Sequence, residues 1–477
     1  MVDWSKFNRF LITVEKPIYK VSINQKLIWT GIVLAVYLLL SSQAFGHVYG
    51  VQPGAGQQFQ SLQILLGSTF GTLMTLGIGP IVTASIILQL LIGSKIVDWD
   101  LSDPDQRKKY ESIQKIASIA LCFIEACAFV LGGAVPPRSP DIFTVTIVII
   151  QLALGGLIVI LLDEIVSKWG IGSGISLFIA AGVANTMFVR LFTPFTLTGT
   201  LPVTGNPPAG IFWGFIYTML NKDLNGVLTN LLPMVSTVVV FLIVIYAQGI
   251  SVDIPLAFSS LRGFGRRWSL KLFYTSNIPV ILTAALLANF QMFGGMMAKP
   301  TPDDPNIRCS MFGCFTTTQG GGTEPTSGLI YYLSAPRNLL LDILGGILST
   351  KILLRALIYM IFMVGASIIF SVFWVNTSGM DAESVAEQIT SVGMQIPGYR
   401  SSTQVVKQVL NKYIPPLAVL GGAAIGLLAA FADFTGAIGT GTGILLTVTI
   451  IYSFYEQLKT ERLEGAHPVV RKILGEE

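Results

Sequence analysis

The sequence is poor in charge. Asp, Glu, Lys and Arg make up 12% of its 477 residues, about half the share found in a soluble domain. That excludes a solvated globule, and a mean hydropathy of +0.68 agrees. Histidine is nearly missing, and the two present, His47 and His467, fall near or beyond the ends of apolar runs. An intramembrane metalloprotease or serine–histidine hydrolase would need histidine deeper in. No GxxxxGKS/T loop and no HExxH occur, so neither phosphate-loop nucleotide hydrolysis nor that zinc chemistry is encoded. Cysteine is scarce as well. Cys122 and Cys127 lie in an apolar run, where a thiol serves as a small packing group. No cofactor is expected.

Ionisable residues inside the apolar runs are almost absent. Glu125 alone lies well within one, while Asp163, Glu164, Lys351 and Asp433 are at ends. Pumps and proton-coupled carriers place several such groups within the bilayer. Glu125 therefore reads either as a protonated carboxyl bonded to a neighbouring helix or as part of a gate. The run WGIGSGI, Trp169–Ile175, follows an apolar helix and not a strand, so it is a glycine turn and no dinucleotide fingerprint.

What is present is apolar sequence of spanning length. The runs are Leu27–Phe45, Thr72–Ile92, Ile113–Leu131, Ile142–Leu162, Ile175–Phe192, Leu231–Gln248, Ile278–Met297, Ile352–Val375, Tyr413–Phe431 and Gly439–Tyr455. They predict an all-α polytopic membrane protein with ten transmembrane helices. Of the 30 Lys and Arg residues, 21 fall on the side of the termini and 7 on the other. By the positive-inside rule both termini are expected in the cytoplasm. Trp4, Phe7, Leu11 and Val14 recur at helical spacing with Lys6, Arg9 and Lys16 between them, and Pro17 stops the pattern. This reads as an interfacial amphipathic helix, against a frayed tail.

The expected division is a cytoplasmic segment 1–26, an N-terminal half 27–192, an external hinge loop 193–230, a C-terminal half 231–456 and a cytoplasmic tail 457–477. The cytoplasmic loop Gly249–Ser276 is basic, with Arg262, Arg266, Arg267 and Lys271 against Asp253 alone; the loop Asn376–Lys412 adds Arg400. These cations either dock an RNA surface or only enforce orientation. Cys309 and Cys314 share an external loop, where a disulfide can persist. A bonded pair and two free thiols are both open.

One stretch breaks the pattern. Ser61–Ile92 is apolar throughout, and as a straight helix it would run about 48 Å, against a hydrocarbon core of about 30 Å. Gly67, Gly71, Gly77, Gly79 and Pro80 interrupt it. Broken backbone at membrane depth is tolerated where it is buried in protein or lines a cavity. The second run carries GIGPIVT and the seventh SNIPVIL, each with an early proline. An offset of five crossings makes the halves inverted repeats. Ile78, Val82, Ile175, Ile179, Ile281 and Leu446 each follow a glycine or proline break. Singly such residues are core or lipid-facing; together they could form a hydrophobic constriction that blocks ions by dewetting.

The motifs TLGIGPIVTASIILQLL (Thr75–Leu91), DEIVSKWGIGSGISLFIAAGV (Asp163–Val183), SNIPVILTAALLANFQ (Ser276–Gln291), YIPPLAV (Tyr413–Val419) and GAIGTGTGILLTVTIIY (Gly436–Tyr452) resemble the SecY protein-translocation channel, archaeal type. The resemblance covers essentially the whole chain. It implies a clamshell of two inverted halves with a re-entrant plug helix at about 57–67, including Phe59, Leu62, Ile64, Leu65 and Leu66. It implies a pore ring of Ile78, Val82, Ile175, Ile179, Ile281 and Leu446. A lateral gate between the second and third spans and the seventh and eighth would include Thr83, Glu125, Asn277, Asn289 and Gln291. Arg262, Arg266, Arg267, Lys271 and Arg400 match its ribosome-docking loops, although a family position that is basic there is Ser260 here. Implied partners are SecE-type and Secβ-type small membrane subunits, the ribosome, a nascent polypeptide with its signal sequence, the targeting receptor of the signal recognition particle, and lipid. The implied function is a protein-conducting channel of the cell membrane, no enzyme, with lateral release of membrane segments. The alternative is an inverted-repeat secondary transporter of a small solute.

Overall fold

The first crossing begins where its sequence can satisfy a helix end. The Ser22 side chain accepts the Gln25 N–H while the Gln25 side chain accepts the Ser22 N–H, a reciprocal cap that opens α1 (Ile23–Ser41). The computed structural model describes residues 13–19, 21–52, 68–93, 96–97, 99, 104–196, 207–258, 265–275, 277–301, 304, 307–317, 323–336, 339–346, 349–391, 394–395 and 402–465. The plug segment, most of the amphipathic segment, Ser260, Arg262 and Arg400 lie outside these residues.

The N-terminal half continues with α2 (Gly79–Gly93), α3 (Pro104–Leu131), α4 (Ile142–Trp169) and α5 (Gly174–Phe192). Then come α6 (Ile211–Leu220) and α7 (Leu224–Gln248), followed by strands β1 (Ser251–Phe258) and β2 (Gly265–Lys271). Helix α8 (Ile278–Met296) leads to β3 (Lys299–Pro300), β4 (Ile307–Ser310), β5 (Gly313–Thr317) and β6 (Thr323–Ser327). Short helices α9 (Leu329–Tyr332) and α10 (Leu339–Leu344) precede α11 (Thr350–Thr377). The chain ends with α12 (Ala382–Ser391), β7 (Met394–Gln395), α13 (Thr403–Leu410), α14 (Ile414–Phe434) and α15 (Gly441–Gly465).

Among the described residues, 8 helical stretches are long and apolar enough to cross a bilayer. Adding α2 and α15 at their places in the order is consistent with ten crossings. At 15 residues, α2 rises only about 23 Å, short of the hydrocarbon core. The preceding stretch 68–78 is a chain of turns and is mostly buried. Its backbone polar groups are satisfied locally: Thr69 N–H donates to Met74 O, Gly77 N–H to Met74 O, and Gly79 N–H to Leu76 O. Threonine side chains complete the set, with Thr72 Oγ1 donating to Thr69 O and accepting from Met74 N–H. Irregular backbone is tolerated at this depth because it is buried in protein.

The loops carry structure that hydropathy does not mark. One antiparallel sheet has the order β2–β1–β7, joining the two basic loops, and a second has the order β3–β4–β5–β6. The region 193–230, read from sequence as a loop, contains α6 and the first turns of α7. The α6 run IFWGFIYTML is strongly apolar but at 10 residues too short to register as a span.

The inverted repeat is written in close backbone contacts. A Cβ on Gly155 of α4 would stand 1.8 Å from Leu73 O, and one on Gly421 of α14 would stand 2.4 Å from Leu272 O. Leu73 precedes Pro80 by the same interval as Leu272 precedes Pro279. The Leu73 N–H donates to Gly46 O just after α1, and the Leu272 N–H donates to Ile250 O just after α7. Each half thus presses a glycine of its fourth crossing onto the carbonyl that leads into its proline-started second crossing.

Candidate functional site

Pro80 and Pro279 sit in the first turns of α2 and α8, where a missing N–H costs nothing. Those helix starts lie inside the protein and set Ile78 and Val82 beside one break and Ile281 beside the other. Ile78, Val82, Ile179, Ile281 and Leu446 are all buried and belong to one hydrophobic cluster; Ile175 is half-buried and packs against it. Both halves therefore contribute candidate ring residues to the one large apolar core of the protein, shut to solvent.

Asp163 and Asp433, which the sequence shows only as acids at helix ends, brace this core. Asp163 Oδ1 accepts the N–H of Ile175 at 2.9 Å. Asp433 Oδ1 accepts the N–H of Thr442 at 2.8 Å, and its Oδ2 accepts from the Thr442 hydroxyl and, at 2.7 Å, from Tyr359. The legible signal was an acid at the end of one crossing followed by a glycine-rich turn into the next, present in both halves.

Beside the core, α2 packs against α8 and α11. Asn289 Nδ2 donates to Thr83 Oγ1 at 3.2 Å across this seam. Thr83 also hydrogen-bonds Glu125 of α3, so the hydroxyl links three helices. The Glu125 carboxylate lies 3.1 Å from where a Cβ on Gly79 would be. It lies against the amino end of α2. Nearer the far end, Gln114 Nε2 donates to Ser85 Oγ at 2.6 Å. A Cβ on Gly93 would meet the Phe373 ring of α11 at 2.6 Å.

Asn277 is buried at the start of α8, and its carbonyl accepts the Ile281 N–H. Gln291 is half-buried, and two positions beyond Asn289 it points about 200° around the helix.

The α8–α11–α14 side is stitched by buried hydroxyls. Thr283 bonds Ser367 at 3.3 Å, Thr275 bonds Ser371 at 3.1 Å, and Ser371 donates to Ala418 O at 2.6 Å. Gly422 and Gly426 let α14 approach the α11 backbone closely.

Of the basic candidates, Arg266 and Arg267 lie in β2, opposite Leu256 and Pro255 of β1. Lys271 ion-pairs with Glu456 and sits over the Tyr452 ring, which ties the sheet's base to α15. Cys309 and Cys314 face each other across β4 and β5 and are joined by a disulfide.

A SecY family model matches residues 72–455. The chain belongs to the SecY family. The protein translocase subunit SecY of Pyrococcus furiosus is 40% identical over 477 residues, covering 98% of this chain and 97% of the relative. A solved SecY channel, whose plug domain stabilises the closed state and maintains a membrane seal, matches with a TM-score of 0.77 at 40% identity, covering 98% of this chain and 99% of that one. Sec61 in the canine ribosome–channel complex from the endoplasmic reticulum matches with a TM-score of 0.76 at 40% identity, again over 98% and 99%. The SecY family fold accounts for the helical clamshell of inverted halves described above.

Proposed function

We propose that this SecY-family chain is the protein-conducting channel of a translocase, passing secretory polypeptides across the membrane and releasing membrane segments sideways into lipid. The observation that supports this is that Ile78, Val82, Ile179, Ile281 and Leu446, from both halves, are all buried in the one apolar core that α2 helps to form. A passing chain differs at every residue, so specific binding would hinder it. Flexible aliphatic side chains close around any shape and dewet when nothing passes.

Sideways release follows from partitioning. Each Leu at the bilayer centre is favoured by roughly 0.3–0.6 kcal/mol, so an apolar segment beside an open seam leaves for lipid unaided. Thr83, Glu125 and Asn289 form the polar latch of that seam, with Asn277 at the base of its α8 wall and Gln291 further along α8. The plug about 57–67, with Phe59, Leu62, Ile64, Leu65 and Leu66, seals the closed ring.

The chain carries no catalytic role of its own; a partner supplies the driving force. Arg262, Arg266, Arg267 and Arg400 offer charge to ribosomal RNA phosphates, while Lys271 anchors their loop. SecE-type and Secβ-type subunits complete the complex, and the receptor of the signal recognition particle delivers substrates. The channel sits in the cell membrane, and the excess of Lys and Arg on the side of the termini supports both termini being cytoplasmic.

Planar-bilayer conductance of the purified complex tests the ring. Glycine at Ile78, Ile179 or Ile281 should raise resting ion leak several-fold. Unchanged leak in all three would sink the assignment.

A further inference from the structure

We infer that Asp163 and Asp433 are positioning residues, which fix the height and rotation of the ring-bearing helices α5 and α15. The inference rests on the ring reading above. Asp163 takes the N–H of Ile175, a ring residue, and Ile179 stands one turn further along α5. Asp433 takes the N–H of Thr442, and Leu446 stands one turn further along α15. In each half, then, the ring side chain follows the carboxylate-bound amide by four residues and lies over it on the same helix face.

These bonds differ from ordinary caps. An N-cap side chain belongs to the residue just before its own helix. Ser173 holds that place for α5 and makes no side-chain cap bond. The acceptor comes instead from the end of the preceding crossing, so it fixes two helices relative to each other. Little room is left for slippage. A Cβ on Gly174 would lie 2.6 Å from Asp163 Cα, and one on Gly441 would lie 1.9 Å from the carbonyl carbon of Ala432.

Rotation of α5 by a single residue would swing Ile179 through about 100°, away from the ring. Asp433 carries a further link, because Tyr359 comes from α11, a wall of the seam. The C-terminal clamp thus holds a gate helix and a ring helix on one carboxylate.

The test compares Asp163→Ala and Asp433→Ala with Asp163→Asn and Asp433→Asn, using assembled complexes in planar bilayers. Asn keeps the oxygen that accepts the amide, and the Tyr359 and Thr442 hydroxyls can turn to accept from its NH2. Ile281→Gly serves as the ring control. Hydrogen exchange of peptides covering the first turns of α5 and α15 reads the clamp directly. The Ala variants should exchange faster at those turns and leak several-fold more at rest; the Asn variants should match the parent in both.

Unchanged exchange in the Ala variants would overturn the clamp. Faster exchange without leak, while Ile281→Gly leaks, would overturn positioning. Leak from Asn equal to that from Ala would overturn the amide-acceptor role. If Ile281→Gly does not leak, Ile78→Gly and Ile179→Gly replace it as controls; leak from none of the three ends the ring reading, and the clamp is then judged by exchange alone. Where an Ala variant does not assemble, Ser replaces it, its hydroxyl being too short to reach the next helix.

Discussion

Thr83 does more with one hydroxyl than its size suggests. Bonded to Glu125 and accepting from Asn289, it joins α2, α3 and α8. Valine has nearly the same shape and no oxygen. In Thr83→Val the closed seam loses both bonds and leaves a carboxylate and an amide short of partners, a cost of about 1–3 kcal/mol. The open state has water to satisfy them, so the balance shifts toward opening. Translocation of substrates with weakened signal sequences should rise by roughly tenfold, as about 1.4 kcal/mol implies, and a reconstituted translocation assay measures it. No rise would show that this hydroxyl does not hold the gate. Single residues were the least legible level of the sequence. Ile78 and Leu446 look like any core aliphatic until a family motif marks them. Asp163 and Asp433 look like helix-end acids because their partners lie beyond a turn and become neighbours only when the chain folds back.

Helices and strands differ in how openly the sequence declares them. The long crossings were plain, since a bilayer demands long apolar runs with internally satisfied backbone. The β4–β5 hairpin was not: its Met311–Phe312 turn lacks the Asn-Gly or Asp-Gly signature. Helix α6 was hidden by its shortness. The contacts of Gly155 and Gly421 were equally silent, because a glycine in an apolar helix does not say which backbone it admits. Their consequence is direct. Gly155→Leu or Gly421→Leu drives a side chain into the carbonyl of Leu73 or Leu272, and overpacking of this kind costs about 1–3 kcal/mol. Both variants should melt several degrees lower in a thermal unfolding assay of the purified complex. Gly31→Ala, whose added Cβ would have no neighbour within 4 Å, is the matched control and should melt with the parent. Equal melting of all three would mean that the close approach is not needed.

Across the whole molecule, adhesion is uneven. Helices α8, α11 and α14 are sewn together by buried hydroxyls and close glycine contacts, whereas α2 meets α8 and α11 along a seam latched through Thr83. Opening along α2 therefore breaks less than opening anywhere through the C-terminal block. The paired glycine-on-carbonyl contacts carry a consequence for the chain as it is made. Gly155 and Leu73 both lie in the N-terminal half, and Gly421 and Leu272 both lie in the C-terminal half. Each half can finish its own keystone as it leaves the ribosome, the first before the second has been synthesised. Covalent continuity between them is then a matter of delivery and not of architecture. Cleavage of the reconstituted complex at a protease site inserted within 197–206 should leave two fragments that co-purify and still translocate. Their separation, or lost translocation, would show that the halves depend on the peptide that joins them.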